Sequence, residues 1–234
     1  MDASSAHSCL VLAEDPDLAE TIPEPERRAA AIESCVAPLL EVPSGIWAVP
    51  EDPGIATLGM LLLDGLLIRK ISVGDRFAVM LLGPGDLLRP WPRAGDPGLR
   101  AVWRAAGPIR VAMLDAGFTS QLGEYPELGG AIVERLAQRT REMAINMAIA
   151  SHTRVDARPH MMLWQMAGRF GSVRTDGVLL PVKLTHAMLA DIVAARRPTV
   201  TTALSALTDR GLVEQGPDGW LLKGTPPTSV LDFG

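Results

Sequence analysis

The stretch LTHAMLADIVAARRPTVTTALSALTDRGLVE, Leu184 to Glu214, joins two apolar-periodic segments across an Arg196-Arg197 step, and its second segment carries Thr199, Thr201, Thr202 and Thr208. These residues hold no nucleophile paired with a base. Guanidinium groups and short hydroxyls instead suit hydrogen bonding to base edges and phosphates: arginine pairs bidentately with guanine O6 and N7, and small polar side chains let a helix approach a groove closely. A carboxylate there would be repelled by phosphate, and none follows Arg197 until Asp209. Thr185 is suited to cap a helix from His186 with an apolar face of Met188, Leu189, Ile192 and Val193. After a turn at Ala194 and Ala195, Pro198 fits the first turn of a second helix, which buries Val200, Ala203, Leu204 and Leu207 and stops at Gly211. LVEQGPDGWLL then predicts two short strands around Gly216 to Gly219, a wing beside the second helix. The candidate DNA-binding residues are Arg196, Arg197, Thr199, Thr201, Thr202 and Thr185.

A second cluster, RPWPRAGDPGLRAVWR, sets Arg89, Arg93, Arg100 and Arg104 beside Trp91 and Trp103. Four guanidiniums and two indoles are candidates for holding an anionic, stacking effector such as a cyclic dinucleotide, and Arg93 to Asp96 resembles the R-x-x-D pattern of some cyclic di-GMP sites. Other chemistry is poorly supplied. Cys9 and Cys35 are isolated and cannot hold an iron–sulfur cluster, while His7, His152, His160 and His186 stand singly. Residues 44 to 114 contain no histidine, which excludes a metal-dependent catalytic jelly roll. Neither a catalytic residue, a metal site nor a resident cofactor is expected, and the chain reads as a non-enzyme.

The elements that position these residues follow from pattern. Of 234 residues 47% are hydrophobic and 21% charged, which places the chain among globular proteins of one large or two ordinary domains. Its net charge of -5 is unevenly divided, with 13 Lys+Arg against 20 Asp+Glu in residues 1–152 and 9 against 7 in 153–234, or -7 and +2. Only the second part approaches a phosphate backbone without a large penalty. Residues 1–40 read as an acidic, loosely packed N-terminal extension. Residues 41–126 read as an antiparallel β sandwich, with short apolar runs punctuated by Gly, Pro and Asp and a tight hairpin at Asp64-Gly65. Residues 127–152 read as a long amphipathic helix whose stripe, Leu128, Ile132, Leu136, Met143 and Met147, is a candidate dimerisation surface. Residues 153–234 add a helix over Pro159 to Phe170, a short hairpin and the winged segment. The fold class is α+β. No apolar run approaches the roughly 18 residues of a spanning helix, so a cytoplasmic protein without a membrane is expected.

The order of sandwich, long helix, short helix and LTHAMLADIVAARRPTVTTALSALTDRGLVEQGPDGWLL resembles the cyclic-AMP receptor protein/FNR (Crp/Fnr) family of bacterial transcription regulators over about residues 44–224. LLGPGDLL resembles the family's Gly-Asp turn, at Gly85 and Asp86. The resemblance implies a jelly-roll effector domain and a homodimer joined along the long helix, binding double-stranded DNA with two-fold-related half-sites and contacting RNA polymerase. It places Arg197 at the family's guanine-reading arginine and Thr199 at its phosphate-facing threonine; Arg196 is a candidate either to contact a phosphate or to extend the readout. Pro198 replaces the usual glutamate and Thr202 the second base-reading arginine, so the usual target sequence is not implied. The Gly-Glu and Arg-Ser pairs that hold a cyclic nucleotide are replaced by Arg89-Pro90 and Leu99-Arg100. Met143 and Ala144 lie near the positions of the adenine-contacting hydroxyls. A response to cyclic AMP in the family's usual way is therefore not expected. The alternative reading is an interaction module that binds RNA polymerase or another regulator without reading DNA.

Overall fold

Met60, Leu61, Leu62 and Leu63 form an apolar run with no polar alternation, the mark of a strand covered on both faces. The computed structural model, which describes residues 7–52, 54, 56–73, 76–91 and 100–227, bears this out. The chain divides into two compact units, residues 1–71 with 80–140 and residues 72–79 with 141–234.

The elements up to the long helix are β1 (His7–Leu10), α1 (Val11–Glu14), α2 (Pro16–Ala19), α3 (Pro25–Ser34), β2 (Val36–Val42), β3 (Gly45–Ile46), β4 (Gly59–Asp64), β5 (Leu67–Val73), β6 (Arg76–Leu82), β7 (Leu87–Leu88), β8 (Arg100–Ala105), β9 (Ile109–Leu114), α4 (Ala116–Gln121) and α5 (Pro126–Ser151). One sheet has the order β1-β2-β9-β4-β7 and the facing sheet β3-β8-β5-β6. Alternation along β4 and β9 supplies two cores. Met60, Leu62, Ile109 and Val111 point between the sheets with Trp47, Trp91 and Trp103. Leu61, Ala112 and Leu114 point to the other face, where α1, α2, α4 and the start of α5 cover them.

Two expectations change here. The N-terminal segment is not loosely packed: Val11, Leu12, Leu18 and Ile22 are at most 1% exposed, and β1 pairs antiparallel with β2 from His7↔Leu39 to Leu10↔Val36. Each such side chain contributes roughly 1.5 to 3 kcal/mol by burial. Asp15 caps α2 by accepting from Leu18 N, and its carboxylate also takes Arg135 of α5 at 2.5 and 2.7 Å. Asp64-Gly65 is not a hairpin, because β4 and β5 lie in different sheets. Gly65 has φ +85°, and a Cβ there would stand 2.6 Å from Pro108 O, so the pair makes a tight crossover from one sheet to the other.

The second unit holds the rest of α5 and then α6 (Arg158–Phe170), β10 (Ser172–Arg174), β11 (Gly177–Leu180), α7 (His186–Ile192), α8 (Arg197–Asp209), β12 (Val213–Gly216) and β13 (Gly219–Leu222). The four strands form one antiparallel sheet, β10-β11-β13-β12. Its core includes Leu163, Leu180, Leu189, Val193, Val200, Leu204 and Trp220, all at most 2% exposed. Gly171 ends α6 where a Cβ would stand 2.3 Å from Ala167 O and 2.8 Å from Val178 Cγ1, so no larger residue fits. Among the described residues no helix is long and apolar enough to cross a membrane.

Candidate nucleic-acid interface

The helix pair forms as its sequence directs. Thr185 accepts from Met188 N and starts α7; α8 starts after Arg196, with Pro198 in its first turn. The connection contains an unexpected device, because Ala194 takes φ 49°, a left-handed conformation unfavourable for a residue with a Cβ. Arg158, the first residue of α6, donates to both Val193 O and Ala194 O at 3.2 Å and to His152 O at 2.9 Å. One guanidinium thus ties the strained turn to the chain entering α6.

Val200, Ala203, Leu204 and Leu207 are buried, while Arg196, Arg197, Thr199, Thr202 and Ser205 are exposed. Arg196 makes no side-chain cap, so the first N–H groups of α8 have no capping side chain. A free helix N-terminus flanked by two guanidiniums attracts phosphate. Thr201 departs from the expected outer face: it is half-buried, and its hydroxyl lies 3.1 Å from His186 Nδ1, fixing α7 to α8. His186 in turn lies 6.1 Å from the Trp220 ring, which links the helix pair to the wing strand β13.

A feature the sequence did not disclose is a cleft of about 630 Å³ beside α8, lined by Arg154, Asp156 and His160 on one wall and by Thr199, Thr202 and Arg210 on the other. Burial first, and then the charge of Arg210, push the His160 imidazole below its usual range. No periodicity marks this cleft, since its two walls stand some forty residues apart in the chain.

Of the candidate effector arginines, Arg89 lies over an indole and Arg104 points away from one. Arg89 is exposed, with its guanidinium 5.9 Å from the Trp91 ring, and Arg104 stands beside exposed Ile46 on the face opposite buried Trp103. Arg93 and the side chain of Arg100 lie outside the described residues. Arg69 of β5, which sequence reasoning passed over, is the guanidinium on Trp103, at 5.0 Å. Its signal was alternation, since Leu67, two residues earlier, points into the same core.

The proposed dimerisation stripe also changes. Leu128 and Ile132 are 0% and 6% exposed and belong to the chain's own core, whereas Leu136, Met143 and Met147 are 44%, 41% and 71% exposed. Each four-residue step overshoots a helical turn by about 40°, so a stripe begun at Leu128 drifts roughly 100° by Met147. The exposed apolar line on α5 is Val133, Leu136, Met143 and Met147.

Comparison with known proteins completes the site. The Crp-like helix-turn-helix domain matches residues 158–223. The "CRP-like cAMP-activated global transcriptional regulator" of Mycobacterium tuberculosis is 28% identical over 151 residues, 62% of this chain and 65% of that protein. Residues 158–223 are thus similar to the Crp-like helix-turn-helix domain, and the chain as a whole is similar to regulators of the Crp type. The fold agrees over a longer span: a CooA variant from Carboxydothermus hydrogenoformans superposes with a TM-score of 0.62 at 18% identity, over 83% of this chain and 86% of that one. A cyclic nucleotide-binding domain containing protein from Listeria monocytogenes EGD-e gives 0.67 at 12% identity, over 89% and 97%. The helix-turn-helix match takes in α6, the clamped turn, α8 and the wing.

Proposed function

We propose that this chain is a sequence-specific DNA-binding transcription regulator of the Crp/Fnr type. It acts as a cytoplasmic homodimer joined along α5, contacts RNA polymerase and does not respond to cyclic AMP in the family's usual way. The observation that carries the reading is the outer face of α8, where Arg196, Arg197, Thr199, Thr202 and Ser205 are exposed with no carboxylate before Asp209. Arg197 reads a base, most simply a guanine, while Arg196 and Thr199 set register on phosphates. Thr202 sits where its short hydroxyl permits close approach. Thr185, whose hydroxyl caps α7, and Thr201, whose hydroxyl meets His186 of α7, position the reading helix. Pairing two copies through Val133, Leu136, Met143 and Met147 presents two such helices to successive major grooves, about 34 Å apart.

The loss of the family's nucleotide-holding pairs at Arg89-Pro90 and Leu99-Arg100, together with an intersheet core filled by Trp47, Trp91 and Trp103, supports independence from cyclic AMP. Selection of bound fragments from a random DNA pool, with and without cyclic mono- and dinucleotides, tests the reading. A two-fold-symmetric consensus obtained without cyclic AMP is expected. Absence of enrichment under every condition overturns DNA reading in favour of an interaction module.

A further inference from the structure

The cleft beside α8 has the make-up of a ligand site, with a hydrocarbon floor and a rim of donors. Ala203, Ala206 and Leu207 face Ala157 across it, and its volume of about 630 Å³ falls among those of small-molecule pockets. Arg154 and Arg210 bring two guanidiniums, and Thr199 and Thr202 two hydroxyls. His160 adds a donor of defined tautomer. Trp164 Nε1–H donates to its Nε2 at 3.1 Å, which leaves the proton of the neutral ring on Nδ1. Asp156, the carboxylate of the lining, is paired with Arg154 at 2.9 Å, which leaves Arg210 as the guanidinium that supplies positive charge to a ligand. Charge and donors therefore call for an oxyanion, and the floor calls for an apolar body attached to it.

We propose that this cleft binds a small organic anion, a carboxylate or sulfonate carried on a hydrocarbon chain or ring, and that the bound anion covers Thr199 and Thr202 and so competes with DNA. The competition rests on the DNA reading proposed above; the binding does not. A DNA backbone phosphate is the weaker occupant. From Thr199 to Arg210 the wall runs roughly 16 Å along α8, so a backbone seated at the reading end leaves the floor and Arg210 unmatched.

Calorimetric titration of the full chain with decanoate and 1-naphthoate, with decanol as the uncharged control, tests the site. At least one anion is expected to bind about tenfold or more tighter than decanol. Arg210→Ala is expected to weaken it about tenfold, the worth of one charge-assisted contact. Ala206→Trp fills the floor from an exposed position and is expected to abolish binding with the helical circular dichroism unchanged. Saturating anion is expected to weaken binding to the selected DNA by about tenfold or more. Failure of both anions to bind, equal binding of decanol, or binding that survives both substitutions overturns the site. Anion binding that leaves DNA affinity unchanged overturns the competition. A protein that binds the anion but never binds DNA keeps the site and refutes the DNA reading instead.

Discussion

Asp15 performs two tasks, and the structure allows each to be weighed. Its Oδ1 caps α2 through Leu18 N, a role worth about 1 kcal/mol. Its two oxygens also take Arg135 in a bidentate pair whose side chains are 11% and 26% exposed. Breaking a fully buried pair costs about 3 to 5 kcal/mol and an exposed one less than about 1. This partly screened pair should therefore contribute about 1 to 2. Asp15→Asn, which keeps an acceptor for the cap, is expected to lose about 1 to 2 kcal/mol, and Asp15→Ala about 2 to 3. In a double-mutant cycle with Arg135→Met, followed by urea unfolding and indole fluorescence, the coupling should reach about 1 to 2 kcal/mol and shrink modestly in high salt. Coupling below about 0.5 kcal/mol would refute the bidentate pair as an anchor of the N-terminal segment on α5. Equal losses for Asn and Ala would refute the cap.

Arg197→Ala is expected to weaken binding to the selected site by about 1 to 3 kcal/mol in a gel-shift titration while sparing random DNA; equal loss on both refutes base reading. Met147→Asp, at a side chain 71% exposed, is expected to give monomers by sedimentation equilibrium, whereas an unchanged mass moves the dimer contact off α5. Ala194→Gly is expected to raise thermal stability by about 1 kcal/mol by relieving the left-handed turn, provided the clamp by Arg158 is intact. Because the folded pKa of His160 lies below its unfolded value of 6.5, the unfolded chain takes up the proton first, and stability should fall as pH drops below about 6.5. His160→Gln should flatten that slope in unfolding curves at several pH values. A further loss is expected below pH 4.5, where Glu14 and Glu127, held low by Arg110 and Arg27, lose their charge in the unfolded chain first.

Local periodicity made α7, its turn, α8 and the wing legible, because Thr185, Pro198 and the four buried positions of α8 act within a few residues of one another. The N-terminal segment was hidden by composition: Asp, Glu and Pro outnumber the few residues that matter, and Leu12, Leu18 and Ile22 have no strict period across α1, α2 and the following turn. Asp64-Gly65 carried a correct turn signal with the wrong partner, since local chemistry fixes the bend and only the demand for a second sheet fixes where the next strand goes. On α5 the residue types were right and the phase was wrong, because Leu128 and Ile132 answer to their own core. Arg69 and the cleft depend on juxtapositions across strands and helices that no single stretch encodes.

The edge-to-face contact of Trp47 and Trp103, with centroids 6.4 Å apart at 77°, gives this chain an internal optical reporter. Two indoles in fixed, asymmetric contact contribute to the near-ultraviolet circular dichroism, and that signal is lost when side-chain packing loosens even if backbone structure persists. Both rings lie in the first compact unit, whereas Trp164 and Trp220 lie in the second. Replacing Trp164 and Trp220 by phenylalanine would leave a protein whose tryptophan signal follows the first unit alone, so the melting of that unit can be timed without a label.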